Sequence, residues 1–258
     1  MLAKERQNRI EAMVKEHGAV TTGDLVELFE VSIETVRRDL LTMEQRGKLV
    51  RVHGGAVKKG DTKPFAELQQ RNREHSREKE ELARNAMRFI SEGDTIGIDT
   101  GSTATFFARA VKEHFSRLTV VTISQDVLEI LRENEGIDVI LCGGRYMRDE
   151  NAFFGSLTLE MLRSIHVPKW FLFASSVSLE HGVCFNLEEY YSIHKQMEAS
   201  ADQVYVLADS SKFEQKALLK LCDMMPKHIY VTDSGLSEEL RKLYEENGVR
   251  IYTGAEQK

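Results

Sequence analysis

Val31-Ser32-Ile33-Glu34-Thr35-Val36-Arg37-Arg38-Asp39-Leu40, followed by Gly47 and then Val50-Arg51-Val52-His53-Gly54-Gly55, is the stretch that decides the fold. Ser32 suits an N-cap, because its hydroxyl can accept from a first-turn amide that has no helical carbonyl to bond. Behind it Ile33, Val36, Leu40 and Met43 recur at helical spacing and form one apolar stripe. At about 100° per residue, Arg38 lies opposite that stripe, with Glu34 and Thr35 on its shoulders and Arg37 at its edge. Two adjacent arginines on a helix ordinarily mark a solvated face. Here a short helix that packs by one side and offers guanidinium forks near its start points to a nucleic-acid groove.

The flanking residues support that reading. Ile10, Met13 and Val14 predict an amphipathic helix from about Lys4 to Glu16, ended by His17 and Gly18. Thr21-x-x-Asp24 has capping-box spacing and opens a second helix through Leu25, Leu28 and Phe29. Only Glu30 and Val31 link it to the third helix, the short connection that a helix-turn-helix requires. After Gly47, Leu49 to Val52 alternate as a strand does, and Gly54-Gly55 allows a reversal into Ala56-Val57. Three helices and a hairpin predict a winged helix-turn-helix over residues 1–60. Arg51, His53, Lys58 and Lys59 place positive charge on the wing, suited to phosphates or a minor groove. Asp39 is expected to orient an arginine, since the DNA backbone would repel a carboxylate.

This pattern, from Val31-Ser32-x-x-Thr35-Val36-Arg37-Arg38-Asp39-Leu40 through Gly47 to Arg51-x-His53-Gly54-Gly55-Ala56, resembles the N-terminal domain of DeoR-family bacterial transcriptional regulators. The resemblance implies a third helix that reads double-stranded operator DNA, with Ser32, Thr35, Arg37 and Arg38 as contacts. Glu34, Arg51 and His53 complete the expected DNA-binding set. The facing of the helix favours Arg38 for a base edge.

Composition bounds the rest. The 258 residues have room for a small DNA-binding domain and one substantial second core. Residues 1–60 hold 11 Lys and Arg against 9 Asp and Glu, a net of +2, while the whole chain carries −6. So modest a positive charge predicts weak non-specific binding by one head and a need for two heads on a repeated site, hence a homodimer or homotetramer. Three widely spaced cysteines, Cys142, Cys184 and Cys222, support neither a disulfide framework nor a zinc knuckle and fit a reducing cytoplasm. No apolar run approaches the ~20 residues of a membrane span, and no signal peptide is expected. The histidines show neither H-x-x-x-H nor H-E-x-x-H, so no metal site is expected. G-x-G-x-x-G and the P-loop pattern are missing too, and no cofactor is expected.

Residues 61–92 read as a hinge ending in Pro64 and a charged connecting helix from Phe65 to Ile90, its apolar positions gathered in the second half. Beyond Gly93, apolar runs such as Thr95–Ile98, Leu118–Thr122, Trp170–Ala174 and Val204–Ala208 alternate with helical patterns to residue 258. That alternation predicts an α/β domain with a mostly parallel sheet, whose ligands bind at the carboxyl ends of the strands. Four strand ends stand out. Asp99-Thr100-Gly101-Ser102-Thr103 opens a helix, where glycine and free amides make an anion cradle. Ser124 ends the second strand, and Gly143-Gly144-Arg145 the third. Asp209-Ser210-Ser211-Lys212-Phe213 supplies a carboxylate and an ammonium. Ordinary N-capping competes with ligand binding for each hydroxyl taken alone; together they describe a site for a small phosphorylated or acidic polyol.

These loops are similar to the C-terminal domain of the same family, which is related in fold to ribose-5-phosphate isomerase-like enzymes. The resemblance implies an effector domain for a phosphorylated sugar, with Asp99, Gly101, Ser102, Thr103, Ser124, Gly143, Gly144, Asp209 and Lys212 as ligands; the charge of Arg145 adds that residue. One turn departs from the family pattern: Ala174-Ser175-Ser176-Val177-Ser178 lacks the acid that could abstract a proton in the isomerases. Tyr190, Tyr191 and His194 replace an expected acid and lysine. The reading is therefore a repressor of carbohydrate-utilisation genes released by a sugar phosphate. An isomerase-like enzyme carrying a DNA-binding head is the alternative, and the missing acid counts against it.

Overall fold

A computed structural model of the chain describes residues 2–52, 55–57 and 67–254. His53, Gly54, Lys58, Lys59 and the expected hinge to Pro64 lie outside the described residues. The first unit runs α1 (Ala3–His17), β1 (Ala19–Thr21), α2 (Thr22–Phe29), α3 (Ile33–Gln45), β2 (Val50–Val52) and β3 (Gly55–Val57). Its boundaries follow local chemistry. Gly18 closes α1 at φ +78° with its amide on the Val14 carbonyl. The Thr21 hydroxyl accepts from the Asp24 amide, and the Ser32 hydroxyl from the Thr35 amide. Ile10, Val14, Leu25, Val36, Leu40, Met43 and Leu49 form its core.

Three features go beyond the periodicity. Ile33 is not part of the apolar stripe but stands 49 % exposed at the start of α3. Asp39 is buried and holds an arginine, Arg6 of α1 at 2.5 Å, while Gln7 donates to its other oxygen. The wing is three-stranded, because β1 adds to β3. Gly55 permits this: a side chain there would sit 2.0 Å from the Val20 carbonyl oxygen.

The second unit opens with α4 (Leu68–Arg71) and α5 (Ser76–Ala86), then a 3₁₀ turn at Met87–Phe89. The single connecting helix expected over this region is broken at His75, which takes a left-handed φ of +52°. There follow β4 (Thr95–Ile98), α6 (Ser102–His114), β5 (Leu118–Thr122), α7 (Gln125–Leu131), β6 (Ile137–Leu141), β7 (Arg145–Met147), β8 (Ala152–Phe154) and α8 (Ser156–Arg163). Next come β9 (Val167–Phe173), β10 (Ser176–Ser178), β11 (Gly182–Phe185), α9 (Glu188–Ala199), β12 (Ala201–Leu207), β13 (Leu219–Cys222), β14 (Ile229–Val231), α10 (Glu238–Glu246) and β15 (Ile251–Tyr252). A 3₁₀ turn at Ser210–Lys212 follows β12.

Seven strands form one parallel sheet in the order β15-β14-β12-β9-β4-β5-β6. Strand order reverses between β4 and β9, and the loops after those strands diverge to opposite faces. That switch point leaves a crevice at their carboxyl ends. Alternate side chains serve the two faces. Ile96, Ile98, Phe171, Phe173, Tyr205 and Leu207 pack under α5, α6 and α7; Trp170, Leu172, Val204 and Val206 pack under α8, α9 and α10. The hairpin β7–β8 and a small antiparallel sheet, β10-β11-β13, are additions that the sequence did not announce.

The Trp170 indole fills the space over Gly97, where a β-carbon would lie 2.1 Å from the ring. Gly97→Ala therefore overpacks this face and lowers unfolding free energy by about 1–3 kcal/mol, read by urea denaturation. A variant as stable as the parent would show that the indole is not fixed there.

Candidate functional site

The free face of α3 carries the expected nucleic-acid contacts. Ser32, Glu34, Arg37 and Arg38 are exposed and Thr35 is half-buried. Among the described residues neither Arg37 nor Arg38 has an ionic partner, so both guanidinium groups remain available. Ser32 is held at the helix start by its own cap and by a 2.9 Å contact with the Thr35 hydroxyl. Exposed Ile33 and Leu41 flank the arginines with apolar surface of the kind that meets a thymine methyl. Arg51 sits on the wing strand, its amide donating to Glu44 Oε1 at 2.8 Å and its guanidinium 3.9 Å from Glu44 Oε2. His53 lies outside the described residues.

The crevice of the parallel sheet brings together part of the expected effector set. Asp99 follows β4 and is buried; its Oδ2 lies 2.9 Å from His194 Nε2, without the alignment of a hydrogen bond, and accepts weakly from the Phe173 amide. Its Oδ1 is buried with no partner. Gly101 caps α6 at φ +108°, and no side chain caps that helix. The first amides of α6, at Ser102 and Thr103, therefore face the crevice unclaimed by a capping group. Two strands across, Asp209 follows β12. Its Oδ1 accepts from Ser211, and its Oδ2 is buried without a partner. Lys212 is half-buried on the adjoining turn.

The crevice is covered, not open. Arg71 of α4 lies over Gly101, its Nη1 3.8 Å from where a β-carbon would stand, and its Nη2 donates to Glu150 Oε1 at 2.5 Å. Glu150 also accepts from the Tyr190 hydroxyl at 2.7 Å, and its carbonyl accepts from Thr100. Lys79 of α5 is buried and donates to the carbonyls of Arg71 and Glu74 at 2.5 and 2.8 Å. Burial lowers its pKa to about 8, opposed by the charge of Asp209 and reinforced by Lys212 and Arg71. Those two bonds span the break in the helix: one ammonium ties off the Arg71 carbonyl at the end of α4 and the Glu74 carbonyl in the turn before α5. Beside this latch, between α4 and the β7–β8 hairpin, lies a cavity of about 590 Å³ lined by Leu68, Asn72, Asp126, Tyr146, Arg148 and Glu150 among others.

Three expected ligands have structural roles, and a fourth stands at the surface. Ser124 is buried and caps α7, accepting from the Val127 amide. Gly144 is required by packing, since a β-carbon would meet the Thr158 hydroxyl at 2.1 Å, and that hydroxyl donates to the Gly143 carbonyl at 3.0 Å. Arg145 is exposed on β7. All follow β5 or the edge strand β6, one or two strands away from the switch point. Of the aromatic pair, Tyr190 is in the core against Phe154 while Tyr191 is exposed.

Comparison with known proteins places both units. The DeoR-like helix-turn-helix domain matches residues 6–60, and the DeoR C terminal sensor domain matches residues 74–234. The chain belongs to the DeoR family. Similar proteins span it nearly end to end. The uncharacterized HTH-type transcriptional regulator YulB of Bacillus subtilis is 31% identical over 97% of this chain and 96% of its own. The lactose phosphotransferase system repressor of Staphylococcus epidermidis is 31% identical over 93% and 95%. Among solved structures, ribose 5 phosphate isomerase A from Neisseria gonorrhoeae is similar at 21% identity and TM-score 0.40, over 54% of this chain and 53% of that one. As a DeoR-family member the protein is a DNA-binding transcriptional regulator and not an enzyme.

Within this DeoR-type sensor unit, Arg71, Lys79 and Glu150 escaped the reading of the sequence, which had marked Tyr190 and His194 only as departures from the family pattern. The first two sit in a highly charged segment that looks solvated. Their only local signal is the weak helix pattern before His75.

Arg38→Ala is expected to lower discrimination between operator and random duplex by about 1–3 kcal/mol, measured by competition gel shift. Unchanged discrimination would remove α3 as the reading element.

Proposed function

We propose that this regulator represses carbohydrate-utilisation genes and is released from operator DNA when a phosphorylated sugar occupies the crevice of its parallel sheet. The observation that carries the reading is the pairing of two half-satisfied buried carboxylates with a ring of cations. Asp99 Oδ1 and Asp209 Oδ2 are buried acceptors without donors. Leaving such a group unsatisfied costs about 1–3 kcal/mol, which sugar hydroxyls would recover. The α6 amides with Arg71, Lys79 and Lys212 supply the donors and charge that a phosphate group needs. The similarity to a lactose phosphotransferase system repressor supports both the substrate class and the sense of regulation.

On this reading the ligand phosphate takes the Arg71 guanidinium from Glu150, exchanging one anion for another. Arg71 and Lys79 stand just beyond the segment, residues 58–66, that leads back to the DNA-binding unit. Moving α4 therefore changes how the two units are joined, and ligand affinity and operator affinity are coupled reciprocally. Two DNA-binding units in a homodimer or homotetramer supply the affinity that a net charge of +2 over residues 1–60 does not.

Thermal-shift screening against pentose and hexose phosphates tests the reading. Ligand at 100 times its dissociation constant raises stability by about 2.7 kcal/mol, and the same compound should weaken the operator gel shift. A hit that leaves operator binding unchanged, or a panel with no hit, would contradict it.

A pH dependence follows from Lys79. Only its charged form favours a phosphate, and its pKa is about 8. The phosphate itself is a dianion above its second pKa, near 6. Affinity for the sugar phosphate is thus nearly level up to pH 7, about halves between pH 7 and 8, and falls more steeply above that, approaching tenfold per unit. Calorimetry across pH 7–9 checks this, and Lys79→Met should bind more weakly with no fall. A fall that persists in Lys79→Met would assign the effect elsewhere.

A further inference from the structure

At the opposite end of the sheet from the crevice, three donor atoms converge from three separate elements. Glu198 lies at the end of α9, Cys222 ends β13, and His228 precedes β14. One donor atom from each lies within 4.8 Å of the other two. The turn from Met225 to His228, closed by the His228 amide on the Met225 carbonyl at 3.0 Å, swings the imidazole back beside the thiol six residues earlier. We propose that Glu198, Cys222 and His228 bind one divalent metal ion of the zinc class.

The imidazole carries the argument. His228 is 4 % exposed, and neither ring nitrogen has a hydrogen-bond partner. A buried imidazole with Nδ1 unpartnered and Nε2 left with one unaligned carboxylate contact is an exception that calls for a further partner. Its Nε2 lies 3.3 Å from Glu198 Oε1 without the alignment of a hydrogen bond between them. That separation matches adjacent corners of a tetrahedron around zinc, whose bonds to N and O are about 2.0–2.2 Å. The Cys222 thiol, also buried and within 4.8 Å of both, closes the third corner after a shift of at most about 1.3 Å, given a Zn–S bond of about 2.3 Å. Sulfur, imidazole and carboxylate together select zinc or cobalt over magnesium or calcium, which take oxygen alone. A water completes four-coordination.

Charge permits it. Coordination replaces the thiol proton, which leaves to solvent, so thiolate and carboxylate neutralise a divalent ion. Lys195 and Lys227 approach Glu198 at 3.8 and 3.9 Å, but both are exposed long chains free to turn outward. Asp223, next to Cys222, is exposed and adds negative charge at the rim. Histidine spacing gave no hint of this cluster, because each ligand comes from a different element. The seven residues of β12 put it roughly 20 Å from the effector crevice, at about 3.3 Å per residue, so it does not rest on the effector reading.

The test uses the reduced, chelator-stripped full chain, with neither DNA nor sugar phosphate present. Cobalt(II) titration should give one equivalent bound, with intense visible tetrahedral bands and a near-ultraviolet thiolate-to-cobalt band that zinc abolishes. Cys222→Ser loses the near-ultraviolet band, while Cys142→Ser and Cys184→Ser retain it. His228→Ala and Glu198→Gln each weaken affinity at least about tenfold. Circular dichroism and melting in EDTA establish that each variant is folded; Glu198→Gln, at the least buried position, is the variant least able to disturb the core. Failure of the wild type to take up stoichiometric cobalt or zinc at micromolar concentration would overturn the proposal. So would a charge-transfer band that survives Cys222→Ser, or an affinity indifferent to both His228→Ala and Glu198→Gln.

Discussion

The sensor unit turns on one buried ion pair, Arg71 to Glu150, whose side chains are 12% and 4% exposed. Removing either partner from such a pair costs about 3–5 kcal/mol, because the remaining charge is stranded. Yet the pair as a whole contributes little, since desolvation offsets most of the Coulombic gain. That asymmetry makes it exchangeable. A phosphate that reaches Arg71 replaces one oxyanion by another, while Glu150 keeps the Tyr190 hydroxyl. On the proposed reading, the barrier to ligand binding is then access and rearrangement, not a lost salt bridge.

The parallel sheet explains why this pair has anything to control. Its switch point between β4 and β9 sets the start of α6 beside Asp99, with Asp209 two strands away. Thr21, Ser32, Ser124 and Ser237 each cap their own helices with a side-chain oxygen. Helix α6, like α8, has glycine in that place and no such cap. Arg71 comes to rest over that unfilled end, and it does so from the segment nearest the DNA-binding unit. On the proposed reading, Arg71 and the last strand of the DNA-binding unit, which ends at Val57, are separated by 13 residues of chain.

The DNA-binding unit was largely legible because its signals are local. Thr21, Ser32 and Gly18 act within four residues of themselves, and Val36, Leu40 and Met43 declare the buried face of α3. Ile33 misled because it matches the stripe in spacing but precedes the point where the helix meets its neighbours. The seven strands of the sheet were legible in kind, as buried apolar runs. Strands of three residues, such as those of the β7–β8 hairpin, are too short to show a period. In the crevice, Asp99, Gly101 and Asp209 could be found at strand ends. At Ser124 and Gly144 residue type alone does not separate the two uses, since a hydroxyl serves a cap and a glycine serves close packing as well as either serves a ligand. Arg71 and Lys79 were hidden for the opposite reason: only tertiary burial distinguishes them from the surface charges around them.

Hydrogen–deuterium exchange of the intact protein, with and without a sugar phosphate that stabilises it, tests the latch most directly. The account predicts that amides of residues 67–79 change protection together with those of 99–103 and 209–212, because ligand and latch share Arg71. Protection confined to 99–103 and 209–212, with residues 67–79 unmoved, would contradict it.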